Sequence, residues 1–308
     1  MSARRTRNAP DPQRPGAFPW PAGWSGAAAV SFDLDAESGV LGMAPAAAAR
    51  LGVMTHQAYG PRTGVPRLLR LLAERSLRAT FFVPGYTAER WPDTVRGIRD
   101  AGHEIGHHGY LHEPIGAAEA TEERYLLRGL EALDAIAGVR PVGYRAPMWE
   151  TSYRTPAILA RHGFRYDSSL MDTDVPYRLA VAAEPDAATL VEIPISWELD
   201  DWEQYAYLPG ITGSGVIEGP GKVLELWRRE LEETAAEGGC FVLTAHPFLS
   251  GRPARAHAVA RLLDEMLALR DAGLWLATLG EIAEHVAGLP LAPVHHTPPV
   301  VPEAWLAD

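Results

Sequence analysis

Short apolar runs alternate with amphipathic segments along most of the chain. The runs at 27–32, 80–83 and 240–245 are mainly apolar and have the length of strands that are buried on both faces. Between them, as at 65–72, apolar residues recur three and four positions apart, which is typical of a helix that buries one face. This alternation predicts an α/β fold.

The alternation continues into the C-terminal part of the chain. The predicted strands lie at 27–35, 80–83, 104–107, 142–145, 164–169, 189–195, 240–245 and 274–277. The predicted helices lie at 65–72, 87–101, 117–137, 153–162, 222–236 and 257–272. Strands that alternate with helices favour a parallel sheet with helices on its outer face. About seven such units predict a distorted (β/α) barrel, closed or nearly closed, that forms a single domain.

Other segments depart from this alternation. Residues 36–62 and 196–221 are rich in glycine and are predicted to be long loops, which in a compact domain usually cover or form a binding site. The barrel is expected over 25–287, after a Pro-rich lead-in at 1–24. The Pro-rich tail at 288–308 is predicted to follow the surface or to mediate assembly into a homo-oligomer.

Charge and composition exclude some classes of binding partner. The 308 residues carry 28 Lys and Arg against 39 Asp and Glu, a net charge of −11. This balance argues against a nucleic-acid or anionic-membrane surface, and no apolar run approaches the roughly 20 residues that cross a bilayer. Arg4-Arg5 is followed by prolines instead of an apolar export segment, so a cytoplasmic location is expected. The expected partner is a small or neutral substrate.

The chain contains one cysteine, Cys240, in an apolar run where we expect it to be buried. One cysteine cannot make an intrachain disulfide or a multi-cysteine zinc site. Any bound metal must therefore be held by histidines and carboxylates.

Asp33 and Asp35 stand two residues apart at the end of the first predicted strand. Their side chains then point to one face, at the strand end where parallel barrels place their active sites. Two carboxylates in this position repel each other and favour a bound cation. The alternative is that one of them starts a turn or caps a helix.

Four of the 11 histidines fall within ten residues, at positions 103, 107, 108 and 112. The segment His103–His107 fits the H-E-x-x-H pattern of a zinc protease helix, whereas His108 and His112 offer a second pair of ligands. Gly102, Gly106 and Gly109 lie within eight residues and disfavour a helix here, at about 1 kcal/mol for each interior glycine, so we predict a strand. His108 and His112 then follow the strand end, on the same rim as Asp35. A purely structural histidine cluster is the third interpretation.

Two histidines and one carboxylate leave coordination positions open for water and substrate. The same set also holds iron in non-haem oxygenases, but their usual all-β scaffold disagrees with the alternation found here. Asp33 could deprotonate a metal-bound water, and His246, at the end of a predicted strand, could protonate a leaving amine. The alternative for His246 is a structural histidine in the core.

Five segments together resemble the five ordered motifs of the polysaccharide deacetylase family, carbohydrate esterase family 4. They are Phe32-Asp33-Leu34-Asp35, His108-Gly109-Tyr110-Leu111-His112, Arg145-Ala146-Pro147-Met148-Trp149, Asp167-Ser168-Ser169-Leu170 and Leu243-Thr244-Ala245-His246-Pro247. The resemblance covers about residues 27–282. Five motifs in order are far more specific than any one of them.

The resemblance implies a role for each motif residue near the metal. Asp33 would be the catalytic base, and Asp35, His108 and His112 would bind a single divalent metal ion, usually Zn²⁺. Arg145 would orient Asp33 in its ionised form through bidentate hydrogen bonds.

The remaining motifs imply roles in substrate binding and proton transfer. The backbone N–H of Met148 would stabilise the oxyanion, and Trp149 would form a wall of the substrate groove. His246 would be the general acid, with Asp167 tuning it. The alternatives are that Asp167 forms a turn and that Trp149 packs in the core.

Some features point to one branch of the family. The first motif is F-D-x-D, and Gly109 replaces the usual Ser or Thr of the histidine motif. Together with the segments 59–69 and 197–202, this resembles the Helicobacter-type peptidoglycan deacetylase branch, which includes cytoplasmic cyclic imide hydrolases. Metal-independent allantoinases are neighbours of this branch, but they lack the full metal triad that this chain retains.

The implied activity is metal-dependent hydrolysis of a non-peptide C–N bond. The motifs do not separate an N-acetylated amino sugar from a cyclic imide or another small amide. A cytoplasmic hydrolase meets soluble metabolites rather than wall polymer, and the two long segments could close over the barrel mouth. We therefore expect an enclosed site and better activity on a small amide or imide than on a polymer. The alternative to an enzyme is a non-catalytic glycan-binding protein. The intact Asp33 and His246 argue against it.

Overall fold

The computed structural model describes residues 17–115, 118–184, 187–211 and 216–302, and within them nine strands form one sheet. The strands are β1 (Gly26–Asp33), β2 (Thr80–Val83), β3 (Glu104–His107), β4 (Gly143–Tyr144), β5 (Tyr166–Asp167), β6 (Tyr177–Ala180), β7 (Thr189–Glu192), β8 (Cys240–Ala245) and β9 (Leu274–Leu276). Every predicted strand is present. The pattern missed β6, because alternate burial over four residues is too short a signal.

Helices cover the outer face of the sheet. They are α1 (Ser38–Leu41), α2 (Leu51–Tyr59), α3 (Val65–Ala73), α4 (Gly85–Arg90), α5 (Pro92–Asp100), α6 (Glu119–Ala137), α7 (Thr155–Arg161), α8 (Asp201–Tyr205), α9 (Pro220–Glu237), α10 (Pro247–Ser250), α11 (Pro253–Arg270) and α12 (Leu279–Ala287). Short 3₁₀ turns lie at Pro45–Ala49, Pro147–Trp149 and Trp197–Leu199, and a π-helical turn lies at Gly60–Gly64. The predicted helix at 87–101 is in fact two helices, because Pro92 starts a new helix after Trp91 leaves helical geometry.

The sheet curls around β1. Its strand order is β6-β7-β5-β4-β3-β2-β1-β8, and all neighbours are parallel except β6 and β7. β1 pairs with β8 along one edge, while its other edge pairs first with β9 and then with β2. This architecture confirms the predicted distorted (β/α) barrel in a single domain.

The two ends of the sheet meet through isolated contacts. In the described ranges no ladder joins β6 to β8, but Asp200 forms a parallel bridge with Thr244 of β8. The backbone N–H of Cys240 also donates to the carbonyl of Asp174 across this gap, at 2.8 Å. The barrel is thus open as a sheet and is closed by the segments before β6 and after β7. Cys240 is buried and free, as predicted.

The prediction that 36–62 is a loop is wrong, because α1, α2 and the π-helical turn occupy much of it. Its glycines allow close packing instead of forming turns. A Cβ on Gly39 would lie 2.8 Å from the Cβ of Asp35, and one on Gly42 would lie 2.5 Å from the carbonyl oxygen of Leu111. The described part of 196–221 is largely irregular apart from α8 and the 3₁₀ turn before it.

Parts of both terminal segments pack on the barrel. The indole N–H of Trp20 donates to the carbonyl of Gly238 at 2.8 Å, and Val294 exchanges backbone hydrogen bonds with Arg178 and Ala180 of β6. Residues 1–16 and 303–308 lie outside the described residues. Within the described segments, no helix is both long and apolar enough to cross a bilayer.

Candidate active site

The motif residues meet at the carboxyl-terminal rim of the barrel. β1 ends at Asp33, and Asp35 follows two residues later. His108 follows β3, Arg145 follows β4 and His246 follows β8. These strands are parallel neighbours, so their ends deliver side chains to one place. All five residues are almost completely buried.

Asp35, His108 and His112 form a buried cluster in which a cation is the missing partner. The Nε2 atoms of His108 and His112 lie 3.5 and 3.7 Å from the two carboxylate oxygens of Asp35. These separations are too long for hydrogen bonds, and neither oxygen has a hydrogen-bond partner among the described residues. Burying a carboxylate without partners is costly, so the donor set fits a divalent metal ion.

The protonation states of the cluster support this interpretation. Burial lowers the pKa of His108 to about 4, which keeps its imidazole neutral, as a metal ligand must be. Its Nδ1 lies 2.7 Å from the carbonyl oxygen of Arg145, which leaves Nε2 facing Asp35. Burial, together with the nearby Asp33 carboxylate, raises the pKa of Asp35 to about 8. Without a cation, an ionised Asp35 is therefore unfavourable.

A second cluster, of Asp200, Asp201 and His246, differs because its own donors satisfy it. Oδ1 of Asp201 accepts from the backbone N–H of His246 at 2.9 Å and lies 2.7 Å from its Nδ1. Oδ2 accepts from the backbone N–H and the hydroxyl of Ser250. Asp200 accepts from the N–H of Trp202. Asp201, the central carboxylate, has no unpaired oxygen for a metal, and the cluster instead fixes the His246 ring.

Charge raises the pKa of His246. Burial alone would lower this pKa, but the Asp200 and Asp201 carboxylates outweigh burial and raise it well above its usual value. The Nε2 atom of His246 lies 3.5 Å from Asp35. The two carboxylates therefore favour the protonated imidazole beside the metal cluster.

Asp33 has the opposite electrostatic surroundings. Burial would raise its pKa, but Arg145, His108 and His246 outweigh burial and lower it. Arg145 makes a single hydrogen bond to Asp33, to Oδ1 at 2.8 Å, and not the expected bidentate pair, because its other nitrogens donate to Ser168 and the same nitrogen also donates to the hydroxyl of Ser31 at 2.8 Å. Asp33 is thus held ionised, with its other oxygen 3.8 Å from Nε2 of His108.

The structure corrects the assignment of Asp167 as the partner of His246. The Asp167 carboxylate accepts from the backbone N–H of Ser168 and the hydroxyl of Ser169. Ser169 in turn accepts from the N–H of Ala146, so Asp167 supports the loop after β4. The partner of His246 is Asp201, which the sequence interpretation missed. Its only sequence signal was its place in the segment 197–202.

Met148 and Trp149 follow Arg145 in strained backbone conformations, with φ of 55° and 56°. Trp149 is buried, and its ring stacks on that of Trp197 at 4.4 Å between centroids. Trp149 also packs in a core cluster with Tyr166 and Ile193, as the alternative expected, while Trp197 is 45% exposed, so a groove wall formed by Trp149 stays a prediction. Ala36 and His112 also have positive φ. Strain of this kind commonly gathers at functional sites.

The histidine segment folds as a strand, which excludes the zinc-protease helix. His103 accepts from the backbone N–H of Ala79, and the ring of His107 contacts the backbone of Leu126 and Gly109. Both are structural. Gly109 has φ of 73°, and a Cβ there would lie 2.9 Å from Pro147, which explains why glycine stands in this motif.

Comparison with known proteins agrees with this geometry. Residues 57–166 match the family model described as polysaccharide deacetylase. A peptidoglycan deacetylase of Helicobacter pylori is 32% identical over 73% of this chain and 84% of its own length. A crystal structure from Mycobacterium smegmatis, assigned as a polysaccharide deacetylase, is 54% identical with a TM-score of 0.89, covering 92% of this chain and 98% of that one.

A further solved structure broadens the comparison. The structure of PuuE allantoinase is 25% identical with a TM-score of 0.74, over 88% of this chain and 93% of that chain. The five ordered motifs meet at one rim, and the identity to a peptidoglycan deacetylase extends over most of the chain. This chain therefore belongs to the polysaccharide deacetylase family.

Proposed function

We propose that this protein hydrolyses a non-peptide amide bond with the help of one divalent metal ion. The observation that carries the proposal is the buried Asp35 carboxylate, whose oxygens have no donors among the described residues and face His108 and His112. An ionised Asp33 and a protonated His246 border this cluster. A metal site with a base and an acid beside it is the arrangement that hydrolysis requires.

Asp35, His108 and His112 would hold the ion, for which we propose Zn²⁺ because two imidazoles and a carboxylate are a common catalytic zinc set. When bound, the ion would polarise the amide carbonyl and lower the pKa of a water molecule. The carbonyl of Arg145 keeps the His108 ring in the orientation that presents Nε2.

Asp33 accepts the proton of the attacking water. Its low pKa keeps it ionised before the reaction, and the hydrogen bond from Arg145 fixes the direction of its carboxylate. Ser31 also accepts from Arg145, so the guanidinium is itself fixed. The base therefore has little freedom to turn away from the water.

His246 donates a proton to the leaving nitrogen as the C–N bond breaks. Asp200 and Asp201 favour the protonated imidazole, and Asp201 fixes the ring through Nδ1. We propose that the backbone N–H of Met148 stabilises the oxyanion and that Trp149 forms one wall of the substrate site. Asp33 and His246 thus carry out the two proton transfers of one hydrolysis.

Family membership favours an amide of an amino sugar as the substrate. A second candidate, a small cyclic imide or amide, is favoured by the burial of the residues that form the site. His112 and His246 are 4% and 5% exposed, and the ring of Trp202 lies 5.3 Å from that of His246. The overall similarity to an allantoinase supports the same candidate.

The test is turnover by the purified, zinc-loaded protein on N-acetylglucosamine oligomers, succinimide and dihydrouracil. Hydrolysis of any of them, lost in Asp33→Asn, would support the proposed function. Acetate release that rises with oligomer length would identify the sugar amide, and faster turnover of succinimide or dihydrouracil would identify the small substrate. Binding of oligomers without turnover of any substrate would contradict the proposal and indicate a glycan-binding protein.

A further inference from the structure

The π-helical turn Gly60–Gly64 packs directly on α10, the turn that follows His246. A Cβ on Gly64 would lie 2.8 Å from the carbonyl carbon of Pro247 and closer still to its oxygen. A Cβ on Gly251 would lie 2.5 Å from Cα of Gly64. Two backbone segments that are distant in sequence therefore touch without side chains between them. Only glycine permits this approach.

Polar contacts hold the same two segments together. Arg67, at the start of α3, donates to the carbonyl of Gly251 and to the hydroxyl of Tyr59, the latter at 2.8 Å. The Tyr59 hydroxyl donates to the same carbonyl at 3.3 Å, and the guanidinium of Arg252 lies 3.7 Å from the centre of the Tyr59 ring. The segment 59–67 thus binds the end of α10 through both backbone and side chains.

His246 lies at the start of this turn. Its carbonyl accepts from the backbone N–H groups of Leu249 and Ser250, both at 2.9 Å. Asp201 binds the opposite side of the turn through His246 and Ser250. The position of the His246 ring is therefore set between Asp201 on one side and the π-helical turn on the other.

A π-helical turn is rare and is found most often at functional sites. None of the residues of Gly60–Gly64 belongs to the metal cluster or to the proton-transfer pair. Here the turn contains Gly60 and Gly64, both of which contact α10: a Cβ on Gly60 would lie 3.1 Å from the backbone nitrogen of Phe248. The turn therefore brings both of its glycines against α10.

We propose that Gly64 and Arg67 are positioning residues, which hold the turn that carries His246 so that its ring faces the metal cluster. The inference rests on the proposed function, in which His246 is the general acid. It also assigns a role to the segment 59–69, which the catalytic motifs leave without one.

The first test compares Gly64→Ala with Gly52→Ala, a matched change in α2 where an added Cβ has no atom within 4 Å. On whichever of succinimide and N-acetylglucosamine oligomers the wild type hydrolyses faster, Gly64→Ala should lower kcat at least tenfold. Hydrolysis of 4-nitrophenyl acetate should change less than twofold, because its leaving group needs no proton. Bound zinc should be unchanged. Gly52→Ala should match the wild type throughout.

Equal losses of amide and ester turnover, or no loss of either, would overturn the proposal. A displaced general acid slows only the reaction whose leaving group must be protonated. If Gly64→Ala does not fold, Arg67→Met replaces it, with Arg70→Met on the same helix as control. Arg67→Met should lower amide turnover about fivefold and spare the ester, whereas Arg70→Met should change neither.

Crystal structures of the variants test the positioning role of Gly64 and Arg67 independently of activity. The separation of His246 Nδ1 and Asp201 Oδ1, 2.7 Å in the wild type, should increase in Gly64→Ala or Arg67→Met. An unchanged separation and an unmoved Pro247 would refute positioning even if amide turnover fell. If the wild type hydrolysed no amide while the ring moved as expected, the proposed function would fail and the positioning contact would stand.

Discussion

The Nδ1 atom of His246 lies 2.7 Å from Oδ1 of Asp201, a carboxylate that comes from a different part of the chain. Both side chains are buried, and the second oxygen of Asp201 is occupied by Ser250. Asp201 therefore cannot turn away from the imidazole. The ring presents Nε2 to the metal cluster, at 3.5 Å from Asp35.

The first prediction compares Asp201→Asn with Asp167→Asn. Removing the Asp201 charge should lower kcat on an amide substrate at least about tenfold, because His246 loses the group that keeps it protonated and oriented. Asp167→Asn should have a smaller effect, since Asp167 contacts Ser168 and Ser169 instead. Steady-state kinetics of both variants measures the difference. A larger loss in Asp167→Asn would restore the original assignment.

A second prediction concerns the pH dependence of kcat. The general acid must be protonated, so activity is lost as pH rises through the pKa of His246. Burial lowers this pKa, but the carboxylates of Asp200 and Asp201 outweigh burial and raise it. Asp201→Asn should therefore move the alkaline limb of the pH–rate profile to lower pH. A limb that stays in place would show that another group controls it.

The third prediction concerns metal binding. His108→Ala and His112→Ala should lose most of the bound zinc while the fold is retained, whereas His246→Ala should keep it. Added zinc should raise the unfolding temperature of the wild type, since a ligand at 100 times its Kd stabilises the folded state by about 2.7 kcal/mol. Elemental analysis and thermal unfolding measure both effects. Full zinc content in both ligand variants would disprove the assignment.

The fourth prediction separates the base from the metal ligands. Asp33→Asn should lower kcat at least about 10²-fold, the usual scale for a general base, because an amide cannot accept the proton of water. Zinc content should change little, since Asp35 and the two histidines remain. Kinetics and metal analysis on the same preparation give both numbers. Strong loss of zinc would instead make Asp33 a metal ligand.

The fifth prediction concerns stability. Burial, and then repulsion from the neighbouring Asp167 carboxylate, raises the pKa of Glu192 well above its usual value. The folded protein thus keeps a proton that the unfolded chain releases above about pH 4, so this group makes the free energy of unfolding fall as pH rises from that value. Glu192→Gln should remove this decline.

Urea unfolding at pH 5 and pH 7 measures the effect. The free energy of unfolding should fall more in the wild type than in Glu192→Gln between these pH values, by about 1.4 kcal/mol for each unit of pH over which the folded protein keeps the extra proton. Its Oε1 would still accept from the N–H groups of Ser169 and Leu170. Glu150→Gln, at an exposed position, is the control and should follow the wild type.

By itself, the sequence determined the barrel and most of the rim. Asp33 and His246 follow apolar runs, His108 follows the strand indicated by the glycines, and the carboxyl ends of parallel strands meet at one edge, so local pattern was enough to bring these residues together. Gly102, Gly106 and Gly109, which lie beside and between the histidines, likewise identified the strand Glu104–His107. These inferences needed only information within a few residues of each site.

Only the tertiary structure decided the partner of His246, the course of 36–62 and the role of the segment 59–67. Asp201 reaches His246 because the chain after β7 crosses the open end of the sheet, where Asp200 pairs with Thr244. Gly64 reaches Pro247 because two helical turns pack backbone to backbone. Such contacts depend on how distant segments pack, and a local pattern of apolar and polar residues carries no record of that packing.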